Sequence, residues 1–451
     1  MIPFGAIAKY VNERVPRYTS YPTAPHFSAA VDADAYRDWL SGLRGSARLS
    51  LYLHVPFCRS LCWYCGCHTM VAGDRAAIDR YVAALEREVG LVADILSSRR
   101  KVAHVHWGGG TPTIVGAEAF ERVMALLCRR FELEPEAEIA VEIDPRRLDE
   151  SMAEALARSG VTRASLGVQS FDPRVQREVN RVQSLAQTQA AAATLRAAGI
   201  AALNVDLLYG LPHETEASCR ETAAAALTLA PDRLAVFGYA HVPHLKRHQQ
   251  RLDAAALPGA AERWRQEQAI AETLVAAGYW RIGLDHYARP ADPLARAQKE
   301  GRLRRNFQGY TDDPAEALLG FGASAIGEAP QGYVQNTPRI AAWLKSVEAG
   351  SLATARGIAL GEEDRLRRDV IERLMCDLRV DVAAMCRRRG LGAGALDGSL
   401  ERLLPLVADG LVRLDGRVAT IPEEARPLLR CVAAVFDAYL EPESGRHAVA
   451  V

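Results

Sequence analysis

Four cysteines fall within ten residues: Cys58, Cys62, Cys65 and Cys67. The first three follow C-x3-C-x2-C, directly after the short apolar run Leu51–Val55. Three thiolates can hold three irons of a four-iron cluster. The fourth iron then keeps an open position where a small molecule can bind and take an electron. Two other uses of the thiols compete. Structural zinc takes paired C-x2-C units separated by a longer gap, and no second pair follows here. A redox disulfide between Cys62 and Cys65 leaves Cys58 without a role. The cluster reading uses all three and points to an enzyme. Cys67 lies outside the three-ligand pattern, and whether its sulfur meets a cofactor or a substrate stays open. Tyr64 can contact a ligand on the open iron or simply pack. His68 reads as a surface residue.

Such residues need a scaffold. From Leu51 to Tyr287, short β-leaning apolar runs alternate with longer stretches of helical period. The strands expected are Leu51–Val55, Val102–Trp107, Glu138–Ile143, Ala164–Val168, Ala202–Leu208, Leu234–Tyr239 and Trp280–Leu284. The helices expected are Ala76–Leu96, Ala117–Phe131, Asp149–Ser159, Leu185–Ala198, Glu214–Leu229 and Ala260–Ala277. This alternation predicts an α/β fold, a partial or full parallel barrel with helices outside. Barrel chemistry collects at the carboxyl ends of the strands. Polar and glycine-rich segments follow the strands here: the cysteines, Gly108-Gly109-Gly110, Glu142 and Asp144, Gln169, Asp206, and Tyr239-Ala240-His241. Residues 1–47 read as an N-terminal capping segment and 48–286 as the barrel. Residues 287–361 read as loops and short helices packed on it. Residues 362–451 read as a helical, winged-helix-like domain, with a hairpin around Asp415-Gly416 and a last helix from Glu423 to Leu440.

Hydrophobic residues make up 49% of the 451 and charged residues 24%, which fits a soluble protein with a sizeable core. Lys+Arg equals Asp+Glu at 55 each, so nothing draws the chain to nucleic acid or an anionic membrane. The C-terminal domain is therefore expected to pack or act as a lid rather than bind DNA. No apolar stretch approaches the ~18 residues of a membrane span, and the start lacks a secretory pattern. Cys128, Cys219, Cys376, Cys386 and Cys431 read as small core residues in a reducing cytoplasm. A cytoplasmic monomer is expected.

The cysteine spacing together with Gly108-Gly-Gly-Thr-Pro112 resembles the radical S-adenosylmethionine superfamily. Several motifs narrow this resemblance: Arg17–Ala24, Cys65-Gly-Cys67, Glu142–Arg146, Gly167–Ser170, Asn180-Arg181, Asp206–Pro212, Asp285–Pro290 and Arg305–Tyr310. In this order they resemble the oxygen-independent coproporphyrinogen III oxidase family. The resemblance implies a four-iron, four-sulfur cluster on Cys58, Cys62 and Cys65, and two molecules of S-adenosylmethionine. Tyr52, Tyr64, Gly109 and Glu142 would hold the cluster-bound molecule. Gly110, Thr111, Gln169, Arg181, Asp206, Ala240 and Ile326 would hold the second. Cys67 and Tyr52 would stand at the reacting centre.

The implied reaction turns two propionates of coproporphyrinogen III into vinyl groups, giving protoporphyrinogen IX for haem biosynthesis. A low-potential donor such as flavodoxin or ferredoxin would supply electrons. The rival within the superfamily is a haem chaperone; as the resemblance implies, that branch lacks the Arg17–Ala24 segment and the fourth cysteine. Outside the motifs, Arg17, Arg289, Arg304 and Arg305 are expected to bind the propionates, from their places in the N-terminal segment and the irregular region.

Overall fold

Leucine and valine alternate with polar residues in the first strand, and this period sets the architecture. In β1 (Leu49–Val55), Leu49, Leu51, Leu53 and Val55 are buried toward the helices. Ser50, Tyr52 and His54 take the other face, toward the lumen. The same period recurs in β2 (Lys101–Gly109), β3 (Glu132–Ile143), β4 (Arg163–Gln169), β5 (Ala202–Tyr209) and β6 (Arg233–Gly238). Each strand pairs in parallel with the next. These relations come from a computed structural model that describes residues 4–440 and 449–451. Amphipathic helices connect the strands, among them Arg75–Ile95, Ala117–Arg130, Leu185–Ala197 and Glu216–Leu227. Their starts are capped: Asp74 accepts from the Ala77 amide, Asp149 from Met152, Ser184 from Gln187 and Thr215 from Ser218. Each cap contributes about 1 kcal/mol.

Two expectations about the sheet need correction. The run Trp280–Leu284 is not another parallel strand. β7 (Trp280–Ile282) pairs antiparallel with β8 (His286–Ala288), which runs antiparallel to β6. The chain turns back at Gly283 (φ 53°), and so short a link cannot make the crossover that parallel pairing needs.

The 287–361 stretch, expected to be irregular, supplies strands. β9 (Arg304–Asn306) and β10 (Gly309–Thr311) form a separate hairpin, while β11 (Ala317–Phe321) pairs in parallel with β1, with Leu51 opposite Leu319. β12 (Ile326–Ala329), β13 (Gly332–Asn336) and β14 (Thr354–Ala359) extend the sheet antiparallel. Glycines hid these strands. A Cβ on Gly320 would come 2.6 Å from the Ile326 carbonyl oxygen, so close backbone approach, not β propensity, chose that residue.

The barrel is partial, and the β9–β10 hairpin plugs its opening. Asp313, just after the hairpin, accepts from the Ser50 hydroxyl of β1. Tyr310 sets its ring 5.2 Å edge-on to His286 of β8. Below the strand ends lies a polar cavity of about 180 Å³. At the amino ends of the strands, Arg163 donates to Glu138 (2.9 Å) and Arg233 to Asp292 (2.7 Å). Burial pushes the Glu138 pKa up, but Arg233 and Arg163 outweigh it and hold the carboxyl near 2.

The C-terminal region pairs a helix, Glu362–Asp377, with a small three-stranded sheet. The last helix is shorter than expected: Glu423–Leu428 is a 3-10 turn and only Leu429–Ala434 is α-helical. Pro427 lacks the amide an α-helix would use there. The N-terminal segment packs against this region. Tyr18 donates to Asp437 (3.0 Å), Arg430 to the Val15 carbonyl (2.9 Å), and Arg14 bridges to Val449. Residues 1–3 and 441–448 of the two terminal segments lie outside the described residues. Cys219, Cys376, Cys386 and Cys431 are buried, but Cys128 is exposed, on the outer face of its helix. Among the described residues, no helix is long and apolar enough to cross a membrane.

Candidate active site

The cysteine loop leaves the carboxyl end of β1 and is tied down through its backbone. Asn180 donates to the Leu61 carbonyl (2.9 Å) and the Trp63 amide to Val179 (3.0 Å). Gln249 donates to the Tyr64 carbonyl (3.0 Å), Lys246 to that of Cys67 (2.9 Å) and His248 to that of Cys65 (2.7 Å). Sequence reasoning missed these last three, because an irregular loop carries no period to flag them. Cys62 is buried, Cys58 and Cys65 are half-buried, and Cys67 is exposed. The thiols have cationic and hydroxyl neighbours: Arg181 reaches Cys62 Sγ (3.5 Å) and Thr111 reaches Cys58 Sγ (3.6 Å). A hydrogen bond with Cys67 draws the Cys65 pKa down to about 7. Among the described residues, no three His, Cys, Asp or Glu side chains converge on one point as a single metal ion requires. Three thiolates on three separate irons need no such point.

The second strand end brings Tyr52, Glu142 and the glycines together. Glu142 accepts from the Gly109 amide (3.2 Å) and lies 3.3 Å from His106. A Cβ on Gly108 would stand 2.7 Å from the Glu142 carboxylate and 3.0 Å from the Tyr52 ring. A Cβ on Gly110 would meet the Phe57 carbonyl at 2.6 Å, and Gly109 has φ 115°. Only glycines let this turn press against the start of the cysteine loop.

His54 joins the two parts. Its Nε2–H donates to the His68 carbonyl (2.9 Å), so Nδ1 is left to accept from the Tyr52 hydroxyl (2.9 Å). Burial lowers its pKa to about 4, keeping the ring neutral. The alternation in β1 was the signal that could have found it. His68, expected at the surface, is instead half-buried.

A second set lies across the lumen. Arg181 donates to the Gly167 carbonyl (2.5 Å) and sits 3.7 Å from Asp144, which also binds Arg146 through two bonds (2.8 and 2.7 Å). Among the described residues, the buried Arg181 Nε has no partner. Gln169 adopts φ 71°, and a Cβ on Gly167 would lie 3.1 Å from Arg181 and 3.3 Å from Gln169. Asp206 accepts from Ser165 (3.0 Å) and Asn204 (2.8 Å); burial, then the charge of Glu142, raises its pKa to about 6. The Ala240 carbonyl accepts from Gln249 (3.2 Å). Ile326 stands at the start of β12, next to the strand that pairs with Tyr52. Tyr64 packs beside Val175, Val179 and Tyr239.

The structure separates the four arginines. Arg289 donates to the Pro231 carbonyl (3.0 Å), and Arg304 to that of Ala315 (3.1 Å), both at the amino end of the sheet. They are on the wrong side of the barrel for the site. Arg305 is buried against Asp285 (3.3 Å) and the Tyr310 ring. Arg17 reaches the carboxyl end of β6, donating to the Gly238 carbonyl (2.8 Å).

A model of the radical SAM superfamily matches residues 52–226. The oxygen-independent coproporphyrinogen III oxidase of Bradyrhizobium diazoefficiens is 55% identical over 442 residues, covering 98% of both chains. The chain belongs to the oxygen-independent coproporphyrinogen III oxidase family. The relative from Paracoccus denitrificans is 45% identical over 96% of both chains. The solved coproporphyrinogen III oxidase of Escherichia coli, described as a radical SAM enzyme, superposes with TM-score 0.90. It shares 38% identity over 95% of this chain and 100% of that one.

Membership of this family implies a four-iron, four-sulfur cluster and S-adenosylmethionine. The residues fit both: three thiols on one pinned loop, a glycine turn where a Cβ would collide, and a buried guanidinium with an N–H that no described residue accepts. In a coproporphyrinogen oxidase, the polar strand ends of this barrel are where those groups belong.

Proposed function

We propose that the chain converts two propionate side chains of coproporphyrinogen III to vinyl groups without oxygen, yielding protoporphyrinogen IX. The observation that carries this reading is the junction at the strand ends. There the cysteine loop, the Gly108–Gly110 turn, Glu142 and Arg181 meet in one hydrogen-bonded frame. The cluster and S-adenosylmethionine, when bound, would supply the one-electron chemistry that removes hydrogen from the propionate carbon beside the pyrrole.

The protein's own groups orient and neutralise. Cys58, Cys62 and Cys65 hold the cluster. Glu142 accepts from an ammonium group while Gly109 keeps the backbone close; Tyr52 and Tyr64 flank the same ligand. Arg181 offers its fork to a carboxylate, and Asp206 and Gln169 accept and donate to ribose hydroxyls. Glu142 with the Gly109 amide, and Arg181 with Gln169 around Gly167, are two polar sets, which supports two S-adenosylmethionine molecules. Gly110, Thr111, Ala240 and Ile326 would border the second. Cys67 is exposed and hydrogen-bonded to Cys65, and would stand with Tyr52 at the reacting centre. A low-potential one-electron carrier protein supplies the reducing electrons to a cytoplasmic monomer.

The test is anaerobic reconstitution with iron and sulfide, then incubation with reductant, S-adenosylmethionine and coproporphyrinogen III. The expected result is two carbon dioxide per substrate with matching 5′-deoxyadenosine. Stable haem binding without carbon dioxide would replace the decarboxylase by a chaperone.

A further inference from the structure

The luminal faces of β4 and β5 carry two polar residues that no motif marks. Along β5 the burial alternates: Leu203, Val205 and Leu207 are buried toward the helices, while Asn204 and Asp206 face the lumen. In the parallel register Ser165 of β4 stands opposite Asn204, and Gly167 opposite Asp206. Ser165 and Asn204 thus lie two residues before the motifs that begin at Gly167 and Asp206. Ser165, Asn204 and Asp206 all line the cavity of about 180 Å³ beneath the strand ends. Asparagine is depleted in strands, so β preference does not account for Asn204.

Three hydrogen bonds close a triangle among these side chains. The Ser165 hydroxyl donates to one Asp206 oxygen (3.0 Å) and the Asn204 amide to the other (2.8 Å). The same amide nitrogen also donates to the Ser165 oxygen (2.7 Å). Both amide N–H groups are then used, and turning the amide over would set its oxygen against a carboxylate. Of the four lone-pair sites on Asp206, two are taken and two remain, as many as a pair of ribose hydroxyls would use. The charged and titratable groups facing Asp206 from other strands are Glu142 on β3, which opposes its charge, and His286 on β8, which favours it. Arg163 and Arg233, a layer below, are held by Glu138 and Asp292. Burial and Glu142 push the Asp206 carboxyl up, and the bonds from Ser165 and Asn204 pull it back down.

We propose that Ser165 and Asn204 are positioning residues for Asp206, aiming its carboxylate at the hydroxyls of a bound ribose and holding it in the charged, accepting form. This role rests on Asp206 being a contact of S-adenosylmethionine. A bond to a charged acceptor is about twice as strong as one to a neutral acceptor, so the cofactor gains from a carboxylate that stays ionised near neutral pH. Two neutral donors achieve this without a cation, which would compete with the ribose for the same oxygens. A carboxylate fixed at both oxygens also needs no reorientation when the ligand arrives.

The experiment measures S-adenosylmethionine binding to the reconstituted full chain by anaerobic equilibrium dialysis, from about pH 5.5 to about pH 8, with iron and sulfide assayed at each pH. Wild-type affinity should fall with a midpoint at about 6, as Asp206 takes up a proton. Ser165→Ala and Asn204→Ala each remove a donor to the charged form, so the Asp206 pKa rises and the midpoint should move up by about one unit. Affinity at about pH 6.5 should then drop about threefold, and at about pH 8 stay near wild type. Ser165→Thr keeps the hydroxyl and should restore the wild-type midpoint. A role in the scaffold alone would lower affinity alike at every pH. That result, or a midpoint unmoved in both alanine variants, overturns the proposal. Ser165→Ala removes a single oxygen atom and carries the test if the Asn204 variant fails to fold. Asp206→Asn keeps the underlying reading separate: if it binds like wild type with an unchanged pH profile, Asp206 is no cofactor contact, and the reading falls together with the role built on it.

Discussion

Arg181 is the side chain on which the most site groups converge. It touches the Cys62 sulfur, the Gly167 carbonyl and, more distantly, Asp144. Burial opposes its charge, but Tyr64, Cys62 and Asp144 outweigh that and raise its pKa. Lysine cannot reproduce a planar fork. Arg181→Lys should therefore weaken S-adenosylmethionine binding by about tenfold, measured by equilibrium dialysis, with iron and sulfide content near wild type. Asp206 gives a pH test. Its pKa is raised to about 6, so it is ionised above that value and protonated below it. S-adenosylmethionine affinity should fall as pH drops from 7.5 to 5, and Asp206→Asn should flatten that fall (~1 pH unit of slope about the midpoint). Much at this scale was legible in the sequence. Glu142 and Gln169 stand where strands end and Asp206 late within β5, so strand placement alone predicts that they lie near one another. Lys246, His248 and Gln249 were not legible: they hold the cysteine loop through its carbonyls from an irregular segment that carries no period.

The elements set tolerances that side chains alone do not explain. At the end of β2, a Cβ on Gly108 would meet Glu142 and Tyr52. Gly108→Ala should lower 5′-deoxyadenosine formation by about a hundredfold while the cluster still assembles, read by absorbance, because sub-ångström misplacement is that costly. At the other end of the strands, Glu138 holds Arg163 and Arg233. Glu138→Gln leaves both guanidiniums short of charge in the lumen and should cost about 3 kcal/mol in chemical denaturation. The parallel strands β1 to β6 could be read from apolar runs bounded by helical periods, and their limits differ from expectation mainly at the ends. The strands of 287–361 could not, because glycines required for close backbone approach break the β pattern. The reversal at Gly283 was equally invisible: Trp280–Ile282 looks the same whether it pairs parallel or antiparallel.

At the scale of the whole molecule, the N-terminal segment is built into the site rather than appended to it. Phe27 stacks 5.9 Å from Tyr333 and also packs against Phe307, while Tyr21 accepts from the Ala438 amide (2.9 Å). Removing residues 1–27 should uncover that apolar patch and lower coproporphyrinogen turnover by about tenfold or more, with increased binding of a hydrophobic dye. β1 has a further consequence. One of its edges is completed by β2, which follows soon after, but the other is completed only by β11, so Leu51 must wait for Leu319. During synthesis, the strand that launches the cysteines stays open along one side until most of the polypeptide has left the ribosome. That interval is a hazard for misassociation of the nascent chain through its unpaired edge. It is also the period in which iron and sulfide have the freest access to the thiols.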